Sequence, residues 1–201
     1  SYRQGVLHLA EEGWLARLPR LVLMNDSVFV TSRGLDAFLA AMLARTPPAP
    51  PVLGAVSSVE IAPHLPSFAV SVGAGVVADP GYVAFWRNYR PSDLRRHNVT
   101  RGELGLSAWL AARAPLQAIH AATGQGNPMH DDPAGLVAQG LPLVKLDGVY
   151  RGRFDGQALD RICAALPDAE GREFRALAMA RQPGLGSLTG WQREAFRAGM
   201  I

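Results

Sequence analysis

An α/β fold class is predicted by three observations along the 201-residue chain. The runs Leu21–Met24 and Val52–Val56 are apolar, uninterrupted and of strand length, the pattern of strands buried on both faces. Between them Leu35, Phe38, Leu39, Met42 and Leu43 recur at helical spacing, which puts them on one helix face. Runs of the two kinds alternate toward the C-terminus, as α/β proteins require.

The elements follow in order. Val6, Leu7, Leu9 and Ala10 give a short helix stopped at Gly13. The chain opens at Ser1 in what reads as a helix already under way, so an N-terminal portion is expected to be missing. After the helix of Leu35–Leu43, "TPPAPP" (46–51) is a surface loop, because proline lacks the N–H a helix needs. Phe68, Val70 and Val72 alternate with smaller residues, a strand running toward Val77. Asp79-Pro80 opens a helix with a good N-cap and a tolerated first-turn proline. Its Tyr82, Phe85, Trp86 and Tyr89 form an aromatic stripe, read as core packing and not as a carbohydrate platform. Thr100 and Glu103 have capping-box spacing and start a helix that buries Leu106, Trp109 and Leu110. Leu116–Ile119 is a short strand, "TGQGNPMHDDPAG" (123–135) a long polar loop, and Leu141–Leu146 a last strand. Two helices, 158–166 and 172–181, close the chain.

Hydrophobic residues make up 48% and charged residues 18% of the sequence, a globular composition and not a disordered one. No apolar run approaches the roughly 20 residues of a membrane span, and no signal-peptide pattern opens the chain. The single Cys163 excludes an internal disulfide and a cysteine metal cage. These features predict a cytoplasmic protein. Lys145 is the one lysine, and arginines spread along the chain account for the net charge of +3. That spread predicts no nucleic-acid partner.

Few residues stand out as chemical candidates. Asp26 follows an apolar strand in "LVLMNDSVF", where α/β sheets place ligands; there it could hold a divalent cation against a diphosphate. An Asx turn at Asn25-Asp26 explains the same residues, and the local sequence leaves both readings open. His130 lies beside Asp131 and Asp132, ligand-like company whose spacing matches no strong metal motif. His64 begins the Phe68 strand, and a backbone-bonded histidine at a strand end is the plainer reading. Glu103 is explained by its helix cap, and a catalytic base would need it in a cleft. Nucleophile-elbow, Walker and thiol-nucleophile patterns do not occur.

In order, "SYRQGVLHL", "LVLMNDSVF", "HLPSFAVSV", "YVAFWRNYR", "RGELGLSAWL", "NPMH" and "GLPLVKLDGVYR" span roughly residues 1–152. This series resembles the rhamnan synthesis protein F family of bacterial polysaccharide glycosyltransferases. Two departures are Val30-Thr31-Ser32, where the family runs on with Gly-Pro, and Pro66 in place of a glutamine. The resemblance implies a GT-A-like mixed sheet flanked by helices, its first nucleotide-binding strands lying upstream, over 1–152, with a helical C-terminal extension over 153–201. It implies transfer of a sugar, rhamnose from dTDP-rhamnose, to a growing cell-surface glycan. It implies a divalent cation, Mn²⁺ or Mg²⁺, held by Asp26 and His130, and Glu103 as general base. Asn25, Asp26, Ser27, His64, Asn127 and Lys145 would bind substrate. A peripheral place at the inner face of the bacterial inner membrane follows from the pathway. The alternative is a non-catalytic carbohydrate-recognition or assembly module of the same fold.

Overall fold

The structure is a computed structural model that describes residues 1–45, 49–122 and 126–181. Parts of the two expected loops (46–48 and 123–125), and residues 182–201 of the expected extension, lie outside the described residues. The order is α1 (Tyr2–Glu11), β1 (Arg20–Met24), β2 (Val28–Val30), α2 (Leu35–Leu43), β3 (Val52–Val56), β4 (Ala69–Gly73), α3 (Ala74–Val77) and α4 (Pro80–Asn88). It continues with α5 (Arg95–His97), a π-helical stretch (Asn98–Leu104), α6 (Gly105–Ala111), β5 (Leu116–His120), α7 (Pro128–Asp131) and α8 (Pro133–Ala138). The last elements are β6 (Leu143–Lys145), α9 (Asp147–Tyr150), α10 (Gly156–Ala165) and α11 (Asp168–Arg181). The class is mixed α/β. The described residues form two compact units, one from those of 1–25 and 39–127 and the other from those of 26–38 and 128–181.

The first unit holds a four-stranded mixed sheet of order β1-β4-β3-β5. β1 and β3 each pair with β4 antiparallel, and β3 pairs with β5 parallel. β3 is buried along its whole length, as an apolar run without alternation predicts. β1 corrects the same expectation: it is an edge strand of this sheet, and only Leu23 is fully buried. β4 stops at Gly73 and passes straight into α3, so the strand does not reach Val77.

The predicted cap of α4 is formed, with the Gly81 N–H donating to Asp79 Oδ1 at 2.7 Å. The aromatic stripe divides. Tyr82 and Trp86 are buried in the core with Val52, Val70, Val72 and Leu110, while Phe85 and Tyr89 are only packed against it.

In the second unit β2 and β6 form an antiparallel pair, Val28 opposite Lys145. β2 was not legible as a strand beforehand. From Pro128 on, the expected polar loop is instead helical, as α7 and α8, each with a proline at its start. Asp132 caps α8 by accepting from the Gly135 N–H at 3.0 Å. Phe154, Leu159, Ile162 and Phe174 share one core with Val137, Val144 and Val149. The described residues beyond 152 thus pack into the same unit as 128–150. Among the described residues no helix is long and apolar enough to cross a membrane.

Candidate functional site

The first unit gathers one candidate group from three of the quoted motifs. Ser67 of "HLPSF" donates its N–H to Glu103 Oε2 at 2.7 Å and its hydroxyl to the same oxygen at 2.8 Å. Its carbonyl accepts from the Tyr2 hydroxyl of "SYRQG" at 2.8 Å. His64 Nε2 stands 3.7 Å from Glu103 Oε1. Residues 36 and 65 positions apart along the chain therefore meet at one serine.

Glu103 reaches this place because it does not cap a helix. Helical backbone already begins at Arg95, so Thr100 and Glu103 lie inside it and the expected capping box is absent. Thr100 turns its hydroxyl back to the Arg96 carbonyl at 2.8 Å, a bond that tends to bend helices. The wide π turn that follows re-aims side chains, and such turns are frequent at functional positions. Asn98 anchors its start, accepting from the Ser92 N–H at 2.9 Å and donating to the Ser92 carbonyl at 2.6 Å.

His64 is held from both directions. Its backbone exchanges two hydrogen bonds with Ser58, each 2.9 Å long. Its Nδ1 lies 2.7 Å from the Ala62 carbonyl oxygen, which fixes Nδ1 as a donor and turns Nε2 toward Glu103. Burial opposes the charged ring, but the bonds to Glu103 and Ala62, with the charges of Glu103 and Glu60, outweigh it and raise its pKa. The side chains are 4% and 18% exposed, respectively, so the carboxylate keeps a solvent-facing portion. His64 also lines a cleft of about 530 Å³ with Ser57, Ser58, Leu65, Gln117 and Ala121. This cleft follows β5 to the C-terminal ends of the parallel pair β3 and β5, where open α/β sheets bind ligands.

The second unit holds the other expected residues. Asp26 and Ser27 form the bend before β2, Asp26 exposed, and the Ser27 carbonyl accepts from the Leu146 N–H at 2.9 Å. Lys145 ends β6. His130 sits on α7 with Nε2 3.9 Å from Asp147 Oδ2 and Nδ1 3.4 Å from an Arg153 guanidinium nitrogen. The other Asp147 oxygen lies 2.5 Å from Arg151. With Asp132, Asp155 and Arg161, His130 lines a pocket of about 180 Å³.

This donor set does not fit a resident cation. Two guanidinium groups border the histidine and its carboxylate, and a positive neighbour disfavours a bound metal. Among the described residues no group of three or more His, Cys, Asp or Glu side chains could hold a metal ion.

Asn25 and Asn127 belong to the first unit. Asn25 donates its backbone N–H to the Phe68 carbonyl at 3.1 Å, and Asn127 is buried. Ser67, Asp147 and Arg153 were not singled out from sequence. Ser67 and Asp147 nonetheless lie in the motifs "HLPSF" and "KLDGVYR", which were the available signal.

Comparison with protein-family models, with curated proteins and with solved structures finds no match.

Proposed function

We propose that the chain is a glycosyltransferase of the rhamnan synthesis protein F type with a GT-A-like fold. On this reading it moves a sugar, rhamnose, from a dTDP-linked donor to a cell-surface glycan. The observation that carries the proposal is the meeting of "SYRQG", "HLPSF" and "RGELG" at Ser67, which holds the partly exposed Glu103 carboxylate beside His64, itself a lining residue of a cleft. A helix-capping glutamate would have no reason to leave its own backbone for a serine 36 residues away.

Glu103 is the general base. The acceptor hydroxyl gives its proton to the carboxylate as its oxygen bonds to the anomeric carbon. The bond from that carbon to the donor diphosphate breaks, and the diphosphate leaves with the electron pair. Ser67 and His64 fix the orientation of the carboxylate, as positioning residues. No step runs through a metal, because the residues about His130 do not fit one.

A carbohydrate-recognition module of the same architecture is the second reading. The observation on its side is that both ring nitrogens of His64 and both oxygens of Glu103 already face protein groups. The two readings separate on incubation with dTDP-rhamnose and a rhamnose-containing oligosaccharide. Transfer predicts release of dTDP and a glycan heavier by one deoxyhexose; oligosaccharide binding without dTDP release contradicts it.

A further inference from the structure

The first unit carries a second cleft, of about 600 Å³, that shares no lining residue with the one at His64. Its aromatic wall is Phe85, Tyr89 and Trp109, and its polar rim is Arg90, His97 and Arg101. The rings of Phe85 and Tyr89 are nearly parallel, 8° apart with centroids 6.4 Å apart. Trp109 is tilted by 44° to Phe85 at 6.5 Å.

The wall is pinned in place. Arg113 lies 3.7 Å over the Trp109 ring and is held by Asp79 at 2.9 Å. The Tyr89 hydroxyl donates to Asn98 at 3.1 Å. Tyr89 fits there because residue 102 is glycine: a Cβ on Gly102 would stand 2.9 Å from the tyrosine oxygen.

The rim is one-sided in charge. Segment 87–101, "RNYRPSDLRRHNVTR", holds five arginines and one aspartate. A shallower cleft continues from Arg101 and His97 to Arg95 and Arg96. Among the described residues no carboxylate lines either cleft. Among the described residues Arg87, Arg90, Arg96 and Arg101 make no ion pair. Clustered arginines without carboxylates raise the local potential and favour an anion, and guanidinium forks match phosphate oxygens. Half-buried aromatic faces beside them favour a ring.

We infer that this cleft binds a ring carrying a phosphate, the ring against Phe85, Tyr89 and Trp109 and the phosphate at Arg90 and Arg101. A nucleotide and a phosphorylated sugar both present this chemistry. The inference goes beyond the transfer reading and stands whether or not transfer occurs. The same helical stretch carries Arg101 to this cleft and Glu103 to Ser67.

Calorimetric titration of the full chain with dTDP, glucose 1-phosphate, thymidine and inorganic pyrophosphate tests it. At least one ring phosphate should bind about 10-fold or more tightly than thymidine and pyrophosphate, a factor worth about 1.4 kcal/mol. The tighter of dTDP and glucose 1-phosphate identifies the source. Ala84→Glu and Arg101→Glu, both exposed positions on the cleft, should each weaken that binding about 10-fold or more, with circular dichroism and melting unchanged. Glu103→Gln should leave it intact, which separates this cleft from the one at His64. Pyrophosphate binding as tightly as the ring phosphates would overturn the proposal. So would folded Ala84→Glu and Arg101→Glu proteins that bind as the parent does, or the absence of binding by every probe.

Discussion

His64 and His130 each stand beside one carboxylate, at 3.7 Å from Glu103 and 3.9 Å from Asp147, yet the group facing the other ring nitrogen differs. Around His64 the near groups are a carbonyl oxygen and the carboxylates of Glu103 and Glu60, and the ring becomes easier to protonate. Around His130 a guanidinium faces the second nitrogen, and another guanidinium shares its carboxylate. Similar spacing therefore gives a histidine that is easier to protonate in one unit and a histidine faced by a guanidinium in the other. The third group at each histidine decides what the pair can do.

The largest effect that should sharpen this contrast lies beside Asp147. A Cβ on Gly148 would stand 2.1 Å from the Phe154 ring, itself in the buried core of the second unit. Overpacking of that kind costs about 3 kcal/mol, so Gly148→Ala should lower urea stability by that order. A loss below about 1 kcal/mol would show that the His130 cluster rests on a looser core.

Next comes the pair itself. Glu103→Ala strands the N–H and hydroxyl of Ser67 along with His64, and removing a charged partner from such groups costs about 2 kcal/mol. Denaturant unfolding that leaves Glu103→Ala as stable as the parent would break the contrast.

The pH dependence is smaller and has a definite sign. Because the folded pKa of His64 is raised, its contribution is complete below the unfolded value of about 6.5 and disappears as pH rises through the folded value. The melting temperature should therefore fall between pH 6 and pH 8.5 by more in the parent than in Glu103→Gln. Parallel profiles would remove Glu103 as the cause.

Asp79→Ala should have the least effect. It deletes the bond to the Gly81 N–H and the ion pair with Arg113 at an exposed helix start. A small drop in melting temperature is expected, and no change would show that Pro80 alone starts α4.

Where local chemistry sets the structure, the sequence was a sufficient guide. Val52–Val56 is apolar throughout and is a buried strand; Asp79-Pro80 carries its own cap and starts a helix. The same Asp-Pro signal occurs at Asp132-Pro133 and starts α8 within the expected polar loop, so this helix is also legible in the sequence. Other features depend on distant partners. β1 has the composition of a central strand, but an edge is assigned by pairing that no local pattern encodes. β2 is three residues long and exists through β6, more than 100 residues later.

The capping-box spacing at Thr100 and Glu103 was real, and a tertiary acceptor set overrode it: Arg96 took the threonine and Ser67 the glutamate. Of the candidate site, the motif segments were visible beforehand, but their meeting at Ser67 was not. The crowding of arginines between 87 and 101 is likewise visible in the sequence, within a set of basic residues that otherwise spreads along the chain.

The central claim is that Glu103 is a base in sugar transfer as well as a structural partner of Ser67 and His64. Turnover of dTDP-rhamnose by Glu103→Gln, with KM and melting temperature measured on the same preparation, tests it most directly. The account predicts kcat lowered by about 100-fold or more, with KM near the parent value. Turnover that persists in Glu103→Gln, or falls only as far as the fraction of folded protein, would contradict it.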